Sequence, residues 1–117
     1  MIIVWIGLVL LVVVVFAVTL RLGASGVNRA AAEAKVTQGA TVIDVRTPAE
    51  YATGHFKGSR NIPLQELRKR LAEAGAKQDA IVVCCASGVR STKAVRMLTA
   101  AGFTDVTNAG GLKNLAR

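Results

Sequence analysis

The sequence predicts an α/β fold: a central, mostly parallel sheet with helices on both faces, preceded by one transmembrane helix. Three observations carry this. Short β-branched runs alternate with helical patterns along residues 27–117. Two of those runs, "ATVIDV" and "AIVVCC", are apolar on both faces, as strands buried under helices on either side must be. Residues 2–20 form an apolar run with no charge and a single polar residue, Thr19.

That run comes first in the chain. At about 1.5 Å per residue it reaches roughly 28 Å, enough for the hydrocarbon core of a bilayer. A cleaved signal peptide is the competing reading, with "LGAS" at 22–25 as a weak cleavage site. Such peptides carry a basic leader and a shorter apolar stretch, which argues for an uncleaved anchor. Arg21, Arg29 and Lys35 follow the span and no Lys or Arg precedes it. The positive-inside rule then places the C-terminal part in the cytoplasm and the N-terminus outside. The expected organisation is a membrane helix at 2–20, a linker at 21–26 and one domain at 27–117.

The domain's elements follow in order. Alanine-rich 27–38 reads as a helix with Gly39 as its stop, and 40–45 as a buried strand. Residues 46–63 hold both prolines and several turn formers, so they form a long connection. A helical turn at 48–54 and a short strand at 60–62 interrupt it. Residues 64–75 place Leu64, Leu67 and Leu71 on one face, predicting an amphipathic helix that ends at Gly75. A second buried strand spans 80–85. A helix over 90–102 turns Val95, Leu98 and Ala101 inward. Residues 105–112 begin as a third strand and end in a Gly-Gly turn.

All charge lies after residue 20: fifteen Lys and Arg against seven Asp and Glu, a net +8. Such a domain favours small anionic substrates and, beside a membrane, anionic headgroups of membrane lipid. No nucleic-acid partner is expected, because the basic residues are scattered and aromatics are few. Cys84 and Cys85 are adjacent, which disfavours a mutual disulfide. With His55 the only histidine and no CxxC spacing, a zinc site is not expected either.

Chemistry concentrates in "CCASGVRS" at 84–91, between a strand and a helix. In parallel sheets ligands bind beyond the carboxyl ends of strands. There the loop N–H groups and the helix dipole favour negative charge, and they lower the pKa of a cysteine at the floor. Gly88 permits the tight turn and Arg90 offers a cation. A buried, inert cysteine pair is the plain alternative.

Three motifs in order resemble the rhodanese-like (rhodanese-homology) sulfurtransferases of the single-domain type. They are "VIDVRTPAEYATGHFKGSRNIP" at 42–63, "VVCCASGVRS" at 82–91 and "AGFTDVTNAGGL" at 101–112. The chain departs at Leu115, where many members carry tryptophan after the Gly-Gly pair. The resemblance implies a rhodanese-like three-layer sandwich. It implies Cys85 as the catalytic nucleophile and Ala86, Ser87, Gly88, Val89 and Arg90 as the substrate-binding loop. Asp44 and Arg46 are supporting residues near it: Asp44 a hydrogen-bond acceptor by the loop, Arg46 a positive charge. His55 is expected to pack a turn. Cys84 is expected to pack the strand end, with a protecting or resolving thiol as the alternative.

The implied activity moves a sulfane sulfur from thiosulfate or a persulfide donor to a thiol or protein-cysteine acceptor, through a Cys85 persulfide. No metal or organic cofactor is required. Four residues separate Cys85 from Arg90, where the related phosphatases use five. Counted from Cys84 the spacing is five, so a phosphatase or arsenate-reductase reading stays open. So does a non-enzymatic persulfide carrier or binding module for a membrane partner.

Overall fold

The computed structural model describes residues 2–23 and 25–115, with side chains of 17–23 outside the description. The elements are α1 (Ile2–Gly23), α2 (Arg29–Thr37), β1 (Thr41–Asp44), α3 (Pro48–Ala52), β2 (Arg60–Asn61), α4 (Leu64–Leu67), β3 (Ala80–Cys85), α5 (Val89–Ala100) and β4 (Asp105–Gly111). The four strands form one parallel sheet in the order β2-β1-β3-β4.

Local chemistry explains the helix starts. Asn28 caps α2, its side chain accepting from the Ala31 N–H at 3.1 Å. Thr47 and Glu50 form a reciprocal capping box on α3, with Pro48 in its first turn.

The alternation of side chains along β1 and β3 divides the core between the two sheet faces. Ile43, Val45, Ile81, Val83 and Cys85 pack with Leu67, Val95 and Leu98 on one face. Val42, Val82 and Cys84 pack with Ala32, Ala109 and Leu115 on the other. Because β1 and β3 are central and covered on both sides, nearly every residue in them is buried. Leu115, the departure noted in the sequence, is 5% exposed and closes the second cluster.

The structure differs from the sequence expectations in three places. The helix expected over 64–75 is broken into α4 and a 3-10 turn at Leu71–Ala74. Arg70, at the break, has left helical geometry and pairs with both Glu66 and Glu73. A single helical turn has little stability of its own, so burial of Leu67 and Ala74 decides the path. The expected Gly-Gly turn is instead the end of β4. Gly110 and Gly111 pair with Cys84 and Cys85 across an irregularity in register between Val83 and Cys84. Third, among the described residues no helix is long and apolar enough to cross a membrane. The described side chains of α1 end at Phe16. Those side chains, Ile2 to Phe16, are all exposed.

Candidate active site

β3 ends at Cys85 and α5 begins at Val89, so the chain reverses within three residues. Gly88 makes this possible with φ +101°, a left-handed conformation that other residues adopt only under strain. The loop also needs room beneath it. A Cβ on Gly111 would lie 2.9 Å from the Ala86 carbonyl oxygen, so β4 supports the loop only because it carries no side chain there.

The curl points donors at one sulfur. The Gly88 N–H donates to Cys85 Sγ at 2.8 Å, and Ser91 Oγ lies 3.3 Å from the same atom. Burial pushes the Cys85 thiol up. The Ser91 hydroxyl and the N–H groups of Ser91, Gly88 and Ser87 outweigh that and hold it below the ordinary thiol value. The Ser91 hydroxyl donates to the Gly88 carbonyl at 3.0 Å. It has one proton, so ionisation of Cys85 offers that proton a second, charged acceptor.

A depressed thiol pKa means the thiolate survives as pH falls below the range where a free thiol protonates, and is lost only through the lowered value. Removing the Ser91 hydroxyl moves that transition upward. Ser91→Ala should therefore slow alkylation of Cys85 by iodoacetamide at pH 7 about tenfold, with the rate recovered at higher pH. An unchanged pH profile would remove Ser91 from the account.

Cys84 behaves differently. Its side chain lies on the opposite sheet face, fully buried. Burial, with the negative charge of Asp44 adding to it and Arg46 opposing, pushes its thiol up to about 12. The Cys84 sulfur thus packs under the other layer of the sandwich, apart from the cluster that holds Cys85. The five-residue spacing counted from Cys84 therefore has no geometric counterpart.

Arg90 does not point a free guanidinium into the loop. It forms a two-pronged pair with Glu50 of α3, at 2.6 and 2.8 Å. The hydrogen bond from Arg90, aided by the Thr47 N–H, holds the Glu50 carboxyl down to about 2. Glu50 therefore stays ionised as pH falls until about that value, and the pair persists through neutral and mildly acidic conditions. Asp44 does not reach the loop either. Its carboxylate accepts from Arg46 Nε at 3.0 Å and Nη2 at 2.7 Å, both residues being buried. Arg46 extends on to the carbonyls of Glu50 and Gly54 at 3.2 and 2.7 Å. Asp44 and Arg46 thus anchor α3, and α3 presents Glu50 to Arg90. His55 stacks on Tyr51 with ring centroids 3.7 Å apart and is exposed.

Of the residues singled out in the sequence, Cys85 and the backbone of 87–88 come together at the sulfur. Arg90, Asp44 and Arg46 form a brace beside it. Ser91 and Glu50 were missed. The signals were present: Ser91 stands in the first turn after the loop, and Glu50 lies three residues after Thr47 as the capping-box acid. Among the described residues no three His, Cys, Asp or Glu side chains gather as a metal site.

Comparison with known proteins follows the same residues. Residues 28–117 match the rhodanese-like domain family. The chain is 45% identical over 75 residues to the thiosulfate sulfurtransferase PspE of Escherichia coli, covering 63% of this chain and 72% of that one. It is 40% identical over 81 residues to the thiosulfate sulfurtransferase GlpE of Pseudomonas fluorescens, covering 68% and 72%. Among solved structures, a rhodanese with anions from E. coli superposes with a TM-score of 0.63 at 43% identity, covering 67% of this chain and 93% of that one. The human single-domain sulfurtransferase TSTD1 superposes with a TM-score of 0.62 at 28% identity, covering 68% and 82%. The chain belongs to the rhodanese-like family, whose relatives here are named thiosulfate sulfurtransferases.

Proposed function

We propose that this protein is a sulfurtransferase that carries a sulfane sulfur on Cys85. The single observation behind this reading is the convergence of the Gly88 N–H and the Ser91 hydroxyl on one buried sulfur whose thiol pKa is depressed. The thiolate attacks the outer sulfur of thiosulfate or another persulfide donor. A new S–S bond forms at Cys85 while the donor's own bond to that sulfur breaks, and sulfite or a thiolate leaves with the electron pair. An acceptor thiolate or cyanide then attacks the terminal sulfur and Cys85 departs as thiolate. Cys85 lies buried at the floor of the loop.

Substrate selection rests on the backbone of Ala86–Val89 and on the net +8 charge rather than on Arg90, whose charge is met by Glu50. The reaction needs no metal or organic cofactor. Covalent transfer of this kind gives ping-pong kinetics with thiosulfate and cyanide. Parallel double-reciprocal lines support it; intersecting lines, or turnover of an aryl phosphate in place of thiosulfate, count against it.

We further propose that α1 attaches the domain, residues 27–117, to a membrane, with that domain in the cytoplasm. The apolar sequence through Leu20 and the outward-facing side chains from Ile2 to Phe16 support this reading. An outward apolar surface of that extent is costly in water and needs cover. Recovery of the full chain in the membrane fraction after alkaline carbonate washing supports the anchor, and release into the supernatant refutes it.

A further inference from the structure

Asn108 has no part in the chemistry described so far, yet it is fully buried in β4 and every polar atom of its side chain is engaged. Its Nδ2 donates to the Ser25 carbonyl at 2.9 Å and to Thr92 Oγ1 at 3.0 Å. Its Oδ1 accepts from the Gly110 N–H at 2.9 Å. Thr92 Oγ1 in turn donates to the Gly88 carbonyl at 2.8 Å. Gly88 is the residue whose N–H meets the Cys85 sulfur. Hydrogen bonds therefore run from β4 through α5 to the Gly88 carbonyl, and the backbone of Gly88 links them to the N–H on the nucleophile.

The same residue ties in the segment before α2. The Asn28 N–H donates to the Asn108 carbonyl at 2.8 Å, and Val27 makes a parallel bridge to Asn108. The Val27 methyls lie over one loop glycine and one glycine of β4: a Cβ on Gly88 would meet one methyl at 3.4 Å, and a Cβ on Gly110 the other at 2.9 Å. Segment 25–28 thus covers the outer edge of the sheet where the loop stands.

We propose that Asn108 is a positioning residue for Cys85: through Thr92 it fixes the carbonyl of Gly88, and so restrains the left-handed backbone at Gly88 that aims the preceding N–H at the sulfur. A hydroxyl with a single proton can be drawn either way. With Asn108 Nδ2 donating to Thr92 Oγ1, the Thr92 proton is left to Gly88 O, which holds the peptide after Gly88; the N–H that faces the sulfur belongs to the peptide before it, and the two are linked through the Gly88 φ and ψ.

Charged groups stand beside the loop as well. Arg90 on α5 interacts with Cys85 and is paired to Glu50 on α3, and the Asp44–Arg46 pair lies at the β1 end. On β4 the acid is Asp105, which pairs with Ala80 at the far end of β3. Neutral substitutions at 108 and 92 leave all of these in place, so a change in the sulfur's titration reports the hydrogen bonds.

The test is the pH dependence of Cys85 alkylation in the full chain carrying Cys84→Ser, with circular dichroism to confirm folding. Asn108→Ala and Thr92→Val should each lower the rate at pH 6.5 by about five- to tenfold and move the profile upward, while Thr92→Ser restores it. The double variant Asn108→Ala/Thr92→Val should be no slower than either single one, because both cut one relay. A folded Asn108→Ala with an unchanged profile overturns the proposal. If Asn108→Ala does not fold, the Thr92 pair decides: a slow Val variant with a restored Ser variant supports the relay, and any other pattern overturns it. The proposal rests on Cys85 as the nucleophile of the sulfur-transfer reading. Alkylation reads the thiolate itself, so absence of sulfur transfer with a shifted profile faults that reading and leaves the relay standing.

Discussion

Cys85→Ser should abolish thiosulfate:cyanide sulfur transfer, by about 10³-fold or more, whereas Cys84→Ser should retain most of it. The two sulfurs are neighbours in sequence but are separated by the sheet. Cys85 accepts the Gly88 N–H and contacts the Ser91 hydroxyl, and its thiol is held low. Cys84 is surrounded by Ala32, Val42, Val82, Ala109 and Leu115, and burial pushes its thiol up to about 12. A serine at 85 keeps the shape but is a far weaker nucleophile at neutral pH and holds no sulfane sulfur. A serine at 84 costs a buried thiol and leaves a hydroxyl seeking a partner, about 1–3 kcal/mol of stability, without touching the loop. Loss of transfer in a folded Cys84→Ser variant would contradict this division.

The largest stability effect is expected at Asp44. Its carboxylate is fully buried and meets Arg46, whose side chain is 8% exposed. Truncation to alanine strands a buried guanidinium, a loss of about 3–5 kcal/mol, against total stabilities of about 5–15 kcal/mol for domains of this kind. Urea denaturation should show it as a lower midpoint. The consequence reaches the site as well. Arg46 holds the carbonyls of Glu50 and Gly54, so its release loosens α3 and the Glu50 partner of Arg90. Asp44→Asn, which keeps an acceptor oxygen but not the charge, should cost less. A loss below about 1 kcal/mol for Asp44→Ala would show that the pair is solvated.

The sequence made the alternating architecture legible because its strands are short, β-branched and bounded by turn residues. β3 occupies the expected span, Ala80–Cys85, and Gly39, Gly75 and Gly102 take the positive φ values of stops. The helix expected over 64–75 was not legible. Its leucine spacing is helical, but the path at Arg68–Arg70 is set by contacts distant in sequence, including Arg60, which donates to the Glu73 carbonyl at 2.9 Å. The end of β4 was hidden for a related reason. Gly-Gly signals a turn locally, and only the approach of Gly111 to Ala86 explains glycine within a strand. At the site, spacing alone left Cys84 and Cys85 both open; the Gly88 N–H on the Cys85 sulfur is visible only in three dimensions. That Arg90 is spent on Glu50 was not legible either, because forty residues separate them.

The most direct measurement is fragment-resolved mass spectrometry of the full chain after incubation with thiosulfate. It localises any added sulfur between the two adjacent cysteines. One additional sulfur atom on Cys85, discharged by cyanide, is the result expected of a thiolate held in the 85–91 loop. No added sulfur, or sulfur carried on Cys84, would contradict it.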